Sequence, residues 1–145
     1  VERYCNVYQE QRGISARLFC PQTCGCQSPQ SALIYSSPAQ GCPSSCSLQA
    51  SYLQALETAP CMDLPKNMLV TYATSLQVAV SFKPDALQER VMALSELMLL
   101  HGCEAEGIEY LCSLGDMKSL SFFCPMKCRC NETVHELCPS SCGPF

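Results

Sequence analysis

Residues 20–26 read CPQTCGC, and the same spacing of cysteines and proline returns at residues 124–130 as CPMKCRC. Each stretch is followed by an identical CPSSC element, at residues 42–46 and again at residues 138–142. Two such matches in the same order do not arise by chance, and self-similarity of this kind is the signature of an internal repeat. The sequence therefore predicts a duplicated cysteine-rich unit.

Six cysteines belong to each copy of this unit, because a single cysteine also precedes each stretch, Cys5 in the first copy and Cys112 in the second. An aromatic residue stands directly before the first cysteine of each stretch, as Phe19 and as Phe123. The even total of 14 cysteines is consistent with complete pairing.

The two remaining cysteines, Cys61 and Cys103, bracket the middle of the chain. The expected organisation is a first cysteine-rich repeat at residues 1–46, a helical insert at residues 47–102, and a second cysteine-rich repeat at residues 103–145. Together these segments predict a mainly α, small disulfide-rich fold.

Helical periodicity in the insert predicts helices at residues 47–58, 63–81 and 86–101, where apolar residues recur at spacings of three and four. The second of these segments is rich in β-branched residues, so a strand stays open there. The third has an apolar face wide enough to need cover on more than one side. Neighbouring helices or a partner protein would supply that cover.

Cysteine-rich chains of this size belong to oxidising compartments, because cytosolic glutathione keeps most thiols reduced. An organelle lumen fits as well as the extracellular space. The chain begins at Val1 without Met or a signal peptide, so we expect a removed targeting segment or a fragment of a longer protein. Its longest strongly apolar run, residues 97–100, is far shorter than the roughly 20 residues of a membrane span.

The charge balance is mildly acidic, with 9 Lys and Arg against 13 Asp and Glu, and the sequence has no basic stripe. Neutralisation of phosphates dominates affinity for nucleic acids. Nucleic acid is therefore excluded as the expected partner.

Disulfide pairing can be hypothesised from helix geometry, although six cysteines allow many connectivities. Residues four apart are neighbours on a helix, so two antiparallel helical turns could be joined by nested bridges within each repeat. The leftover cysteines of each repeat then pair by elimination, and the insert cysteines pair with each other. The hypothesised pairs are Cys5–Cys26, Cys20–Cys46, Cys24–Cys42, Cys61–Cys103, Cys112–Cys130, Cys124–Cys142 and Cys128–Cys138.

The stretch at residues 18–26 resembles the C-terminal half of the ShK toxin-like (ShKT) domain, whose last turns read Cys-x-x-Thr-Cys-Gly-x-Cys. Residues 117–124 are similar to the segment just before that signature. The resemblance is to a divergent, rearranged form, because one residue instead of two separates the last cysteines and a CPSSC element follows them. Similar cysteine repeats occur in algal protist proteins.

This resemblance implies two kinds of role. Most members of the family are accessory domains attached to secreted enzymes or receptors, while some peptides block potassium channels through a Lys followed by an aromatic residue. Lys118 stands where that Lys would be, but Ser119 replaces the aromatic residue. Channel block is thus poorly supported, and an effector or inhibitor remains the alternative function.

Candidate chemistry is weak elsewhere in the sequence. The Cys-x-Cys pairs at Cys24 and Cys128 could ligate zinc or copper, but Cys-x-x-Cys is the usual spacing in zinc sites and in redox motifs. His101 and His135 lie in no recognisable constellation of nucleophile and base. We therefore expect no metal, no cofactor and no enzymatic activity. Asn131 begins a glycosylation sequon.

The expected function is that of a non-catalytic structural or interaction protein. We expect a peripheral subunit of a larger assembly, docked without a transmembrane segment, and one candidate assembly is a photosynthetic membrane complex in the thylakoid lumen. The surfaces expected to contact partners are the Ser- and Pro-rich loop at residues 27–40 and the helix at residues 86–101.

Overall fold

The computed structural model describes residues 4–8, 10–31, 33–36, 38–80, 85–114, 119–133 and 137–143, which include all 14 cysteines. Within these ranges the chain forms helices and turns but no β-strand. The expected mainly α, small disulfide-rich fold is confirmed. The α-helices of the described residues are α1 Gln11–Phe19, α2 Pro21–Cys24, α3 Ala50–Thr58, α4 Val70–Ala79, α5 Asp85–His101, α6 Glu109–Ser113 and α7 Leu120–Phe123.

The three helices predicted for the insert are confirmed as α3, α4 and α5. The β-branched segment is helical because it buries a continuous stripe, formed by Tyr72, Ala73, Leu76 and Ala79. Residues three and four apart share one helix face, and burying that face outweighs the weak helical propensity of Val and Thr.

Helices α4 and α5 form an antiparallel hairpin. The turn Lys66–Met68 before α4 meets the turn Gly102–Glu104 after α5. Gly102 has φ of +63°, and a Cβ atom there would lie 2.9 Å from Lys66 Cα, so the close approach requires glycine. Between the helices, Gln77 Nε2 donates to the hydroxyl of the buried Ser95 at 3.0 Å.

Six disulfide bonds form, and they do so in two classes. Four of the bridges form two equivalent pairs, one member of each pair in each repeat. Cys5–Cys24 is equivalent to Cys112–Cys128, and Cys26–Cys42 is equivalent to Cys130–Cys138. The other two bridges, Cys61–Cys142 and Cys103–Cys124, join the two cysteines that bracket the insert to the CPSSC and CPMKCRC elements of the second repeat. Cys20 and Cys46, the first-stretch equivalents of Cys124 and Cys142, are free thiols.

All seven hypothesised pairs are wrong. The hypothesis assumed that cysteines four apart share one helix face, but in each Cys-x-x-x-Cys element the backbone leaves helical geometry at the first cysteine or at the proline after it. Cys20 has ψ of 56° and Cys124 has ψ of 61°, outside the helical range. Pro43 and Pro139 are extended, both with ψ of 139°. The corrected pairs replace Cys5–Cys26, Cys20–Cys46, Cys24–Cys42, Cys61–Cys103, Cys112–Cys130, Cys124–Cys142 and Cys128–Cys138.

The bridge Cys61–Cys103 does not form because both cysteines face the second stretch instead of each other. The segment before the hairpin runs along that stretch: Leu64 N donates to Phe123 O at 2.9 Å, and Ser141 Oγ donates to Ala59 O at 2.8 Å. Asp63 also accepts the Met126 amide at 2.9 Å. These contacts place each insert cysteine beside a partner in the second stretch.

One hydrophobic core extends through the insert and both cysteine-rich stretches. At its centre, Tyr72 and Phe123 pack with ring centroids 5.0 Å apart. The Tyr72 hydroxyl lies 2.9 Å from Ser119 Oγ, which donates to Ile34 O at 3.2 Å. Because the Ser119 hydroxyl donates its proton to Ile34 O, the Tyr72 hydroxyl is the donor in the hydrogen bond between Tyr72 and Ser119. Burial of the Tyr72 hydroxyl raises its pKa, although the hydrogen bond with Ser119 opposes the shift.

Among the described residues, no helix combines the length and apolar character that crossing a bilayer requires. Six bridges in a chain of this size are typical of a secreted or lumenal protein, since they persist only under oxidising conditions. The protein is therefore assigned to an oxidising compartment.

Candidate interaction surface

One face of α1, from Gln11 to Phe19, borders an open, mostly apolar groove, which we call the Phe19 groove. Its volume is about 340 Å³, at the lower end of the range for ligand-sized pockets. Phe19 is 78% exposed, the most exposed large apolar side chain among the described residues. The groove is lined by Tyr4, Gln11, Arg12, Ser15, Ala16, Phe19 and Cys20.

Phe19 is exposed because α1 directs its other face inward. Arg17 and Gly13 are the buried residues of this helix, whereas Leu18 is 48% exposed. Gly13 permits the approach of the preceding segment, since a Cβ atom there would overlap the Val7 carbonyl. The sequence around Phe19 thus forms a helix whose outer end carries two adjacent apolar side chains.

The rim of the groove is polar, and the ion pair beside it is weak. Arg12 lies 3.9 Å from the Glu10 carboxylate, and its guanidinium stands 5.5 Å from the centre of the Tyr4 ring. Both partners of the ion pair are substantially exposed, so the pair contributes little to stability. An apolar centre with a polar rim is the usual anatomy of a protein interface.

The two thiols differ in environment. Cys20 lines the groove and is partly exposed, whereas Cys46 is 3% exposed and belongs to the hydrophobic core. Burial raises the pKa of the Cys46 thiol, which lowers its thiolate fraction. Since the thiolate is the nucleophile in disulfide exchange, Cys20 is the thiol that can react with a partner.

The loop predicted as a contact surface has a buried central segment. Leu33, Ile34 and Tyr35 are between 1% and 5% exposed, and the Tyr8 hydroxyl accepts the amides of Ile34 and Tyr35. Among the described residues of the loop, the exposed ones are polar or small and stand at either side of this buried segment. The expectation that residues 27–40 form an exposed docking loop is therefore corrected for the central segment, residues 33–35, which is buried.

The apolar face of α5 is mostly covered within the chain. Val91, Leu94 and Met98 are buried, while Leu100 remains 62% exposed. The cover comes mainly from α4. A partner is therefore not needed to bury the wide stripe of this helix.

The remaining predicted positions lie apart from one another. His101 is exposed at the end of α5, and His135 and Lys118 lie outside the described residues. Among the residues that the structure describes, no three His, Cys, Asp or Glu side chains are grouped to hold a metal ion. Cys24 and Cys128, weighed as metal ligands, form disulfides instead. Asn131 is exposed in a turn, as an acceptor for glycosylation must be.

Phe19 was not singled out as a surface residue by the sequence. An aromatic residue precedes both Cys20 and Cys124, so the local pattern is the same in the two stretches. The burial of Phe123 follows from the bond between Cys103 and Cys124, which brings the hairpin onto the second stretch. The sequence did not predict that bond.

Comparisons with protein-family models, with curated proteins and with solved structures find no match for this chain. The resemblance to the ShKT domain thus stays a prediction.

Proposed function

We propose that this chain is a non-catalytic interaction protein, a peripheral subunit of a larger assembly that docks through the Phe19 groove. The observation that carries this proposal is the 78% exposure of Phe19 in an apolar groove beside the exposed Leu18. Solvation of a large aromatic side chain is unfavourable, and aromatic residues are enriched at the centres of interfaces.

The disulfide framework supports this role. Each bridge contributes about 2–4 kcal/mol in typical proteins, by a mechanism that depends on the model used. Six bridges and a continuous core hold the Phe19 groove in one conformation before any partner binds. A preorganised surface binds with less loss of conformational entropy.

The absence of catalysis is part of the proposal. His101 is exposed, and the acidic and thiol groups of the described residues do not form a metal-binding cluster. Neither free thiol belongs to a Cys-x-x-Cys motif. The groups most often used in catalysis therefore have structural or solvent-facing environments where they are described.

Within the oxidising compartments, we propose the thylakoid lumen and peripheral docking on a photosynthetic membrane complex. The support is the likeness of the CPQTCGC and CPMKCRC stretches to cysteine repeats of algal protist proteins. A groove with an apolar centre suits docking on a protein subunit better than on a lipid headgroup surface.

A secreted toxin-like effector, or an inhibitor of an enzyme or channel, is the second candidate. The ShKT-like stretch at residues 18–26 favours it, because some peptides of the family that it resembles block channels and because the stretch includes Phe19 itself. In that case the Phe19 groove would bind a target protein reversibly instead of joining an assembly.

Native electrophoresis of source material, followed by mass spectrometry of the bands, separates the two candidates. A subunit migrates with a large complex, whereas an effector migrates alone near its mass of 15.9 kDa. Phe19→Ser is expected to release the chain from the complex. Leu48→Ser is the matched control, because Leu48 is 74% exposed and lies outside the groove. Migration of the unaltered chain alone would contradict the assembly proposal.

A further inference from the structure

The second cysteine-rich stretch shows what covers an aromatic residue and a cysteine at these positions. Phe123 is 3% exposed and packs on Tyr72 of the α4–α5 hairpin. The next residue, Cys124, is fully buried and is bonded to Cys103, directly after that hairpin. A helical hairpin ending in a cysteine therefore occupies this surface.

The backbone is the same at the equivalent place in the first stretch. Cys20 has φ and ψ of −129° and 56°, and Cys124 has −127° and 61°. The amide of Cys24 donates to Cys20 O at 3.1 Å, and the amide of Cys128 donates to Cys124 O at 3.0 Å.

The turn that follows is also shared. Gly25 and Arg129 both have positive φ, at 86° and 62°, although Arg is a residue for which this conformation is costly. Cys26 and Cys130 donate their amides to Pro21 O and Pro125 O at 2.9 and 2.8 Å. The two stretches therefore offer the same local framework to a covering element.

The two stretches differ in whether another element of the chain covers the aromatic residue and the cysteine. Leu18 and Phe19 are exposed where Phe122 and Phe123 are buried. Cys20 is a thiol where Cys124 is bonded. The first stretch thus has the receiving half of a contact whose other half is seen only at the second stretch.

We propose that the Phe19 groove receives, from a partner protein, a helical hairpin that ends in an unpaired cysteine, and that Cys20 forms a disulfide with that cysteine. The partner element is built as α4, α5 and Cys103 are built. This inference rests on the proposed role as an interaction subunit and specifies the chemistry of the partner.

A second copy of this chain does not meet the requirement. Its hairpin already lies on its own second stretch, and its Cys103 is already bonded to Cys124. Cys46 is not the receiving thiol either, because it is 3% exposed within the core. The partner must therefore bring its own hairpin and its own cysteine, one that is not bonded to another cysteine of the partner.

The bond forms by thiol–disulfide exchange with a mixed disulfide of glutathione on the partner cysteine. Cys20 loses its proton to solvent, and the thiolate attacks the partner sulfur. The new sulfur–sulfur bond forms as the bond to glutathione breaks, and glutathione leaves as a thiolate that takes up a proton. No net oxidation occurs in this step, because the mixed disulfide already carries the oxidising equivalent.

The hairpin of this chain can serve as the probe. Residues 47–107 are repeated directly ahead of Val1 of the full chain, with the added Cys61 replaced by Ser. The added Cys103 then precedes Cys5 by the same spacing that separates Cys103 from Cys112. The extended chain is refolded with oxidised and reduced glutathione, and its bridges are mapped by mass spectrometry of an unreduced digest.

The expected result is a bridge between Cys20 and the added Cys103, with Cys46 remaining a thiol. Phe19→Ala in the extended chain should reduce the fraction of chains with the bridge several-fold. Leu48→Ala in the full-chain part, with the added segment unaltered, should leave that fraction unchanged. A control extension with both added cysteines replaced by Ser establishes that the remaining six bridges form. Bonding of the added Cys103 to Cys46, or its recovery as a glutathione adduct in a chain with the other six bridges intact, would overturn the inference.

Alkylation of the unextended chain adds a second, independent measurement. Iodoacetamide is expected to label Cys20 without denaturant and Cys46 only after unfolding. A Cys20–Cys46 bridge, or a dimer joined through Cys20, would also overturn the inference. If the chain migrates with a complex but the added hairpin does not bond, the hairpin inference fails and the proposed function stands.

Discussion

Arg17 is the largest side chain that is completely buried in the described residues, and it joins three separate parts of the first stretch. Its Nη1 donates to the carbonyls of Cys5 and Val7, both at 2.8 Å, and its Nε donates to Gln40 O. The guanidinium also stands 4.5 Å from the centre of the Tyr8 ring. Burial lowers the pKa of Arg17, but the ordinary value is high enough that it stays charged.

Arg17→Met should therefore destabilise the protein by roughly 2–4 kcal/mol, because it keeps apolar bulk but leaves buried carbonyls without a donor. Arg12→Met is the matched control, since Arg12 is exposed and its ion pair with Glu10 is worth little. Urea denaturation with the bridges intact measures both. Similar midpoints for the two variants would show that the buried guanidinium contributes nothing specific.

Tyr8 predicts a loss of stability at alkaline pH. Burial raises its pKa to about 12, although the amides of Tyr35 and Ile34 and the Arg17 charge oppose the shift. The folded chain keeps this proton at a pH where the unfolded chain, with a Tyr pKa near 10, has lost it. The contribution is complete below pH about 10 and disappears as pH rises to about 12.

Denaturation of a Cys20→Ser, Cys46→Ser background, which prevents thiol exchange, measures this effect. The free energy of unfolding should fall by about 1.4 kcal/mol per pH unit for each such group across this window. Tyr8→Phe should be less stable at neutral pH, because the amides of Ile34 and Tyr35 lose their acceptor. Its slope should be shallower by one proton. An unchanged slope would mean that Tyr8 titrates at its ordinary pKa.

For single residues, the sequence did not predict burial that depends on distant contacts. The aromatic residue before each cysteine was recognised, but Phe19 and Phe123 have identical local patterns and opposite burial. Burial depends on which element folds back onto the residue, and that is information about distant contacts. The role of Arg17 was missed for the same reason, since its acceptors come from residues 10 to 23 positions away.

At the scale of elements, helices were predictable and bridges were not. Periodicity identified α3, α4 and α5 because each helix buries a stripe at spacings of three and four. The Cys-x-x-x-Cys elements lack that regularity: Pro43 is extended, so its helical turn begins only at Ser44. A break of one residue is enough to turn a sulfur away from its expected partner.

The hairpin contact predicts a large loss of stability for Phe→Ala in the second stretch and almost none for the same substitution in the first. Phe123→Ala should cost about 3–5 kcal/mol, because it opens a cavity against Tyr72. Phe19→Ala in the unextended chain should change stability by less than about 0.5 kcal/mol, since Phe19 is 78% exposed. Thermal unfolding monitored by circular dichroism compares them directly. Equal losses would show that Phe19 packs within this chain.

At the scale of the whole molecule, the insert belongs with the second cysteine-rich stretch. Two disulfides and the backbone hydrogen bond between Leu64 and Phe123 join them. In addition, the Arg90 guanidinium lies 3.6 Å from the centre of the Tyr110 ring. The first stretch is linked to them through the core and the Ser119–Ile34 hydrogen bond, without a disulfide. The division of the cysteines into six, two and six describes the sequence, whereas the bridges follow a different division.

Loop lengths predict how the bridges rank in their contribution to stability. Cys61–Cys142 spans 81 residues of sequence, and Cys130–Cys138 spans 8. A cross-link that closes a longer loop removes more entropy from the unfolded chain, even though Cys103–Cys124 shortens the larger loop. Replacing both cysteines by Ser should therefore cost about 4 kcal/mol for Cys61–Cys142 and about 2–3 kcal/mol for Cys130–Cys138.

Guanidinium denaturation of the two double variants tests this ranking, with intact mass confirming that the other five bridges are present. A larger loss for Cys130–Cys138 would contradict the entropic account and indicate that the short bridge stabilises the folded state directly. The expected order has a structural consequence. Loss of Cys61–Cys142 leaves Cys103–Cys124 as the one disulfide that fixes the hairpin to the second repeat, so the cover over Phe123 should loosen and Phe123 should become more exposed.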